Sequence, residues 1–400
     1  MKNYLKQIKY IKTLQKELAG NVSGNNKNKS AALEFKESAY LFKVESELNL
    51  DVNEYSFLFI TDDLSLQIKA TAVNVETSVE RKFVSHYTEC KVFSFQNSNW
   101  NDYGLYRSFF YTSSKHLLFQ VFGKASKIQL TVNHKSISIR QLDDYIVIEN
   151  EAEISYEEFS VISYNILVAL GFVSGVFIQD AVFTFQQDNE SENEMIIKYE
   201  KLRKGFKSIY HPFTANPFGY NHYLGKNTTK RIYEQDILKY LQAEQLSKLS
   251  QLSQENSEVQ YALVLFNEAN GSDTSLLIRN NCFFIVIEVL RKFFYSVFED
   301  KLSKDYSNNK NADKAKMVFE CFMHVTDEDI LLLQKRNDFM HGDIKDIEDA
   351  EMVIIMQKQL SFIYKIVFSY IGFDGRIIDH YAMRNNKIEQ AFIKIDNVKN

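Results

Sequence analysis

The period of hydrophobic positions changes along the chain. Between about residues 40 and 150, apolar and polar positions alternate in short segments rich in β-branched and aromatic residues, with polar turns between them. Such alternation predicts half-buried strands, because every second side chain points to the same face. The segments predicted as strands are residues 40–46, 65–73, 81–95, 117–123, 127–133 and 144–150. They predict a mostly antiparallel β-sandwich-like domain or barrel.

A helical period dominates the C-terminal part of the chain. Apolar residues recur at helical spacing in residues 278–300, 312–325, 327–341 and 346–372. Thr326 precedes three acidic residues and Gly342 follows His341, so residues 327–341 carry both an N-cap signal and a C-terminal stop signal. Long amphipathic helices joined by short loops predict an up-and-down helical bundle.

The region between these two patterns is mixed. Ser155 and Glu158 form a capping-box pattern that predicts a helix to about residue 170, followed by a strand at residues 176–187. The apolar run at residues 161–179 contains Asn165, two glycines and two serines, which makes it a poor membrane helix and favours a buried helix.

The N-terminal segment has a pattern of its own. Its apolar residues are spaced as on one face of a short helix, which is expected to pack on the body of the protein: Tyr4, Ile8, Ile11, Leu14 and Leu18. Residues 20–30 are polar and contain glycine, which predicts a loop or mobile arm. The predicted class is therefore α+β. Its regions are an N-terminal helix and arm (1–30), a β-rich domain (31–190), a connector (191–257) and an all-α helical bundle (258–400).

Composition narrows the classes of partner and compartment. A formal net charge of −5 argues against a protein that coats nucleic acid by bulk electrostatics, although it permits a local basic groove. Cys90, Cys282 and Cys321 are odd in number and lack CxxC spacing, so we expect buried free thiols rather than disulfides or zinc ligands. The basic N-terminus has no uninterrupted apolar core and does not resemble a secretory signal. These features predict a cytoplasmic protein that does not enter a membrane.

Three polar residues at the end of one predicted helix are candidates for chemistry. Arg336, Asn337 and His341 lie in the stretch KRNDFMHGD. Asn337 and His341 share a helix face, whereas Arg336 and His341 differ by about 140° around the axis. A histidine at a helix C-terminus can transfer protons near neutral pH, and an arginine can hold a phosphate. Attack of a ribose 2′-OH on the neighbouring phosphate would suit this set. The alternative is that these cations only complement the helix dipole.

Other candidates are weaker. Glu288 lies within an apolar helical run and needs a partner, which is Arg336, His341 or another group. Residues 219–230 only faintly resemble a phosphate-binding loop and do not match its pattern. His211 and His222 lie in the aromatic-rich loop at residues 211–225 without a metal-ligand pattern.

The order of Arg336, Asn337, His341 and Gly342 near the end of a bundle helix, after the long apolar helix FFIVIEVLRKFFY, resembles the HEPN superfamily. The signature of that superfamily is an arginine, four to six residues, and a histidine. The resemblance covers roughly residues 258–372. A β-rich region joined to such a bundle is similar to the ApeA-type branch, which is associated with bacterial abortive defence against phage.

The resemblance implies a dimeric bundle in which the Arg/His sets of two chains face one cleft. It implies a metal-independent endoribonuclease without a cofactor, in which Arg336 binds the scissile phosphate, His341 acts as general acid and base, and Asn337 orients them. The expected partners are an RNA substrate, a second copy of the chain, and a phage-derived or protein activator at the β-rich domain. The alternative expectation is a non-catalytic HEPN adaptor that binds a protein partner or a nucleotide.

Overall fold

The computed structural model describes residues 2–24, 27–36, 39–45, 48, 50–80, 83–112, 114–123, 127–178, 180–187, 195–203, 205–208, 210–213, 240–302, 304–341, 347–384 and 392–395. The chain forms two compact units. The first, here called the β unit, comprises Met1–Ser113, Ile137–Phe159 and Gln179–Gly205. The second, called the helical unit, comprises Ser114–Ser136, Ser160–Ile178 and Phe206–Asn400. Both units are discontinuous, whereas the sequence predicts continuous domains.

One continuous antiparallel sheet organises the β unit. Its strands follow the spatial order β3-β2-β1-β4-β5-β6-β14-β13-β7-β10-β9. The bounds are β1 Leu18–Gly24, β2 Lys27–Lys36, β3 Ala39–Val44, β4 Tyr55–Ile60, β5 Ser65–Glu80, β6 Phe83–Asn97, β7 Tyr103–Tyr111, β9 Lys135–Leu142, β10 Tyr145–Asn150, β13 Ala181–Gln187 and β14 Ile197–Lys201. The short β11 (Ile154–Ser155) pairs with β7.

Six of these strands close into a ring. Strand β3 pairs with β2 on one edge and with β6 on the other, through Leu41↔Lys91 to Val44↔Thr88. The same edge of β6 continues to β14, through Gln96 to Ser94. Strand β6, with 15 residues, is long enough to serve both the ring and the rest of the sheet. The β unit therefore has one partly closed sheet instead of the two separate sheets of a sandwich.

The core of the ring is aromatic. Tyr40, Phe42, Phe59, Phe95 and Tyr199 are fully buried there and pack edge to face or stacked. Such ring pairs add to the free energy that burial of their area provides. The tight packing leaves little room on the backbone: a Cβ on Gly20 would lie 2.5 Å from the carbonyl oxygen of Ile60.

The N-terminal helix packs on this core, as the sequence predicts. Helix α1 (Lys2–Leu14) buries Ile8, Ile11 and Leu14 in the same cluster as the strands. The expectation of a loop over residues 20–30 is wrong for the described residues, because residues 20–24 of β1 pair with residues 27–31 of β2 in a hairpin. Cross-strand pairing and the buried side chains of Val22 and Ala31 stabilise this hairpin despite its polar sequence.

The helical unit contains most of the helices. Their bounds are α2 Leu117–Phe122, α3 Tyr156–Ser174 (from Ser160 onward in this unit), α4 Ala243–Glu255, α5 Ser257–Ala269, α6 Leu276–Phe298, α7 Asn311–Phe319, α8 Asp327–His341, α9 Asp349–Ile371 and α10 His380–Arg384. Short strands also belong to it: β8 Lys127–Val132, β12 Val176–Phe177, β15 Phe206–Lys207, β16 Arg376–Ile378 and β17 Phe392–Lys394. The α+β class and the C-terminal helical region are thus confirmed.

Two predictions of local structure have opposite outcomes. The N-cap of α3 is confirmed, because the backbone N–H of Glu158 donates to Ser155 Oγ at 3.1 Å. The strand predicted at residues 117–123 is wrong, because α2 occupies that stretch. In α2 the buried residues are Leu117, Leu118 and Val121, which is a helical spacing. A short apolar run fits either structure, and here tertiary packing selects the helix.

The long apolar helices and the cysteine side chains are buried or partly buried. Helices α3 and α9 are long and apolar enough to cross a membrane by length and composition. In each, however, 72% of the most apolar window is buried in the protein, as is typical of core helices. All three cysteines are free; Cys90 is buried, as expected, while Cys282 and Cys321 are only partly buried.

Candidate functional site

Helix α8 carries the candidate site, and its start is fixed by a capping box. Thr326 Oγ1 accepts the backbone N–H of Asp329 at 3.3 Å, and Asp329 Oδ2 accepts the backbone N–H of Thr326 at 2.9 Å. Each side chain thereby satisfies a backbone donor of the first turn. The N-cap predicted at Thr326 is therefore confirmed.

Ion pairs hold α8 against α9. Lys365 Nζ donates to Asp329 Oδ2 near the start of α8, and both side chains are largely buried. Toward its end, Lys335 Nζ lies 3.3 Å from Glu351 Oε1 in a more exposed pair. The buried pair contributes more to the position of α8 than the exposed one, since water and salt screen exposed charges.

Apolar side chains pack α8 against α6 next to the candidate site. The rings of Phe284 on α6 and Phe339 on α8 lie 5.4 Å apart between centroids, and Leu332 and Leu333 are buried on α8. One turn along α8 from Phe339, Arg336 therefore faces α6 rather than open solvent.

Arg336 is held by a carboxylate on α6. Its Nε lies 3.6 Å from Glu288 Oε2, and the Arg336 and Glu288 side chains are 19% and 20% exposed. Arg336 Nη1 donates to Asn337 Oδ1 at 3.3 Å, and Asn337 is exposed. Within the described part of the chain, Arg336 Nε is buried and has no hydrogen-bond partner. Glu288 and Asn337 thus hold the Arg336 guanidinium in place, while its Nε donates no hydrogen bond to any described residue.

Glu288 also binds a second guanidinium. Arg291 Nε donates to Glu288 Oε2 at 3.2 Å, and Arg291 Nη2 bonds to the other carboxylate oxygen. Arg291 Nη1 donates to the hydroxyl of Tyr306, whose ring stacks on Tyr295 with centroids 4.7 Å apart. Burial lowers the pKa of Arg291, but the hydrogen bonds and charge of Glu288 outweigh it and raise the pKa overall. The partner left open for Glu288 by the sequence is therefore both Arg336 and Arg291.

His341 is the last described residue of α8. The side chain of His341 and the whole of Gly342 lie outside the described residues. The structure therefore brings Arg336 and Asn337 together at the end of α8, whereas the role of His341 continues to rest on the sequence.

A pair of histidines in the helical unit was not predicted from the sequence. His380 Nε2 hydrogen-bonds to the backbone carbonyl oxygen of His211 at 3.0 Å. Burial lowers the pKa of His380 to about 4; the charge of His211 lowers it further, while the hydrogen bond to the His211 backbone opposes the shift. Burial also lowers the pKa of His211. The two residues are remote in sequence, and no local pattern could have paired them. His222 lies outside the described residues.

Arg279 and Asn280 are another Arg-Asn pair in the sequence, and Arg279 has a structural role. Arg279 donates to the backbone carbonyl oxygens of Ala269, Gly271 and Thr274 and thereby ties the start of α6 to the loop before it. Among the described residues, no group of three or more His, Cys, Asp or Glu side chains could hold a metal ion.

The comparisons with known proteins add no relative. No family model, no curated protein and no solved structure matches this chain. The resemblance to the HEPN superfamily therefore rests on the sequence motif, and the site rests on its own geometry.

Proposed function

We propose that the protein is a metal-independent endoribonuclease of the HEPN type and acts as a bacterial anti-phage or toxin effector in the cytoplasm. The observation that carries the proposal is the state of Arg336. Its guanidinium lies at the end of a helix braced on two sides, with a buried Nε that makes no hydrogen bond among the described residues. A guanidinium in that state can donate hydrogen bonds to phosphate oxygens, because it presents paired donors in a fixed geometry.

The proposed reaction is transfer of the phosphoryl group within the RNA strand. The ribose 2′-oxygen forms a bond to the adjacent phosphorus while the bond from phosphorus to the 5′-oxygen breaks. A base accepts the 2′-hydroxyl proton and an acid protonates the leaving 5′-oxygen, which are roles for His341. Arg336 stabilises the charge that develops on the phosphate oxygens. Asn337, whose amide oxygen accepts from Arg336, orients that guanidinium.

The proposed assembly is a homodimer through the HEPN bundle. The Arg336 and His341 sets of two chains would face one cleft, and an isologous interface supplies both copies. The β unit would bind a phage-derived or protein activator. An acidic chain suits an enzyme that grips RNA locally at this cleft.

The rival proposal is a non-catalytic HEPN adaptor that binds a protein partner or a nucleotide. The observation in its favour is the ion pair of Arg336 with Glu288, because a guanidinium that keeps a carboxylate partner is less available to a scissile phosphate.

Cleavage of RNA separates the two proposals. Purified protein is incubated with total RNA in EDTA, and products are resolved on denaturing gels. We expect cleavage by the wild type and a loss of roughly 100-fold or more in Arg336→Ala and His341→Ala, since each removes a group that acts in the transition state.

His324→Ala and Arg384→Ala are the matched controls, because both residues are exposed on other parts of the helical unit. They should cleave as the wild type does, and size-exclusion chromatography should give the same oligomer for every variant. A wild type that cleaves no RNA, or a His341→Ala variant with full activity, would contradict the nuclease proposal.

A further inference from the structure

Two guanidinium groups share one carboxylate in the helical unit. Glu288 lies between Arg291, on the same helix, and Arg336 on α8. The side chains of all three are at most 20% exposed. Two positive charges and one negative charge leave the triad with one unit of positive charge in a poorly hydrated place, where a bound phosphate would neutralise it.

The two guanidinium groups are held unequally. Arg291 makes a two-pronged contact with both carboxylate oxygens of Glu288. The shortest contact between Arg336 and Glu288 is 3.6 Å, from Nε to Oε2, which is beyond hydrogen-bond distance. Paired hydrogen bonds between a guanidinium and a carboxylate are the strong form of this interaction. Glu288 therefore interacts more strongly with Arg291 than with Arg336.

Arg291 is itself fixed from the far side. Its Nη1 donates to the hydroxyl of Tyr306, and the Tyr306 ring stacks on Tyr295. Tyr306 lies in the short helix Lys304–Asn308, beyond the end of α6. The aromatic pair thus limits the movement of Arg291, and with it the movement of Glu288.

We infer that Arg291 is a positioning residue for the Arg336 site: it anchors Glu288, so that Glu288 orients Arg336 without competing with phosphate for it. The inference rests on the proposed function: Arg291 is the group that keeps Arg336 available to bind the substrate phosphate. Without Arg291, both oxygens of Glu288 become available, and the nearest remaining guanidinium is Arg336. Glu288 then competes with the substrate phosphate for Arg336 instead of orienting Arg336.

A double-mutant cycle in the full-length protein tests this role. Arg291→Gln, Glu288→Gln and the double variant are compared with the wild type by two readouts. The first is the rate at which phenylglyoxal modifies Arg336, followed by peptide mass spectrometry. The second is RNA cleavage, separated into kcat and KM.

In Arg291→Gln, Arg336 labelling should slow roughly tenfold and KM should rise by a similar factor, with a smaller change in kcat. In the double variant, labelling and KM should return to within about threefold of the wild type, because the competing carboxylate is gone. A purely structural role for Arg291 predicts the reverse, since a second substitution in the core would add damage. Lys316→Gln, which removes an exposed pair between Lys316 on α7 and Glu320 just after its end, is the control and should leave both readouts unchanged.

Arg291→Lys covers the case in which Arg291→Gln does not fold. It keeps the charge but loses the two-pronged contact, and labelling should slow about threefold. Unchanged labelling of Arg336 in a folded Arg291 variant, or no recovery in the double variant, would overturn the inference. The labelling arm decides this point even without cleavage, whereas a wild type that cleaves no RNA would overturn the proposed function instead.

Discussion

At the scale of single residues, the β unit contains a buried ion pair between Arg107 and Glu149. Arg107 Nε donates to Glu149 Oε2 at 2.7 Å, and both side chains are 11% exposed. Glu149 also accepts hydrogen bonds from Tyr4 at 2.8 Å and from Ser138 at 2.9 Å. Burial raises the pKa of Glu149, but Arg107 and these hydrogen bonds together lower it overall. Because Tyr4 belongs to α1, this carboxylate links the N-terminal helix to the sheet.

Removing the charge of Glu149 should be costly. Glu149→Gln leaves Arg107 buried without its counter-charge, and we expect the free energy of unfolding of the β unit to fall by about 3 kcal/mol. Glu76→Gln is the matched control, because Glu76 pairs with Lys43 at 2.8 Å on the surface and should change stability by less than about 1 kcal/mol. Urea unfolding at pH 7 measures both. Equal effects of the two substitutions would show that the Arg107 pair adds nothing beyond a surface pair.

At the scale of elements, α8 depends on its ends and its neighbours. Its start is capped by Thr326, its first turn is tied to α9 through Lys365, and its last turns face Glu288 on α6. The angle at which α8 presents Arg336 is therefore a property of three helices. The sequence of α8 supplies the cap and the buried leucines, but not the neighbours.

Loss of the cap should loosen α8 from its start. Thr326→Ala removes the hydroxyl that accepts from Asp329, and we expect about 1 kcal/mol of lost stability with faster amide hydrogen exchange in the first turns of α8. Thr13→Ala in α1 is the control, since the Thr13 hydroxyl only donates to the carbonyl of Lys9 within a helix, and its effect should stay below about 0.5 kcal/mol. Exchange rates in α8 equal to those of the wild type would argue against the cap as its anchor.

At the scale of the whole molecule, the two units should respond differently to pH. His211 and His380 belong to the helical unit, where burial lowers the pKa of both. In the unfolded chain His380 takes up a proton below about pH 6.5, whereas in the folded protein it does so only near a pKa of about 4. Its contribution to stability is therefore complete above pH 6.5 and is lost as pH falls from 6.5 toward 4.

Acidification from pH 7.5 to pH 5 should therefore weaken the helical unit. We expect His380 to account for a loss of about 2 kcal/mol over that interval. His380→Gln keeps a donor for the His211 carbonyl but cannot titrate, so it should flatten the pH dependence. His86→Gln, an exposed histidine of the β unit, should not. Hydrogen exchange resolved by unit measures the effect, and an identical pH slope in wild type and His380→Gln would exclude His380 as its source.

Local patterns determined a large part of this protein. Alternation predicted strands at β3, β5, β6, β8 and β10, and the helical period predicted α6, α8 and α9 close to their observed bounds. Capping residues were identified correctly at Ser155 and Thr326. These signals are local, because a period of two or of 3.6 residues and a capping side chain act within a few residues. The sequence also places Arg336, Asn337 and His341 in order at the end of one helix.

Tertiary structure decided which remote segments meet. The pairing of β3 with β6 closes the ring, α2 is a helix where the local pattern allows a strand, and β1 pairs with β2 where the sequence predicts a loop. It also gives Arg336 its partner on α6 and brings His380 to His211. Each of these depends on the free energy of packing segments that are distant in sequence, which no local periodicity encodes. The sequence alone thus determined the elements and the candidate chemistry, while only the fold decided that Glu288 pairs with both Arg336 and Arg291.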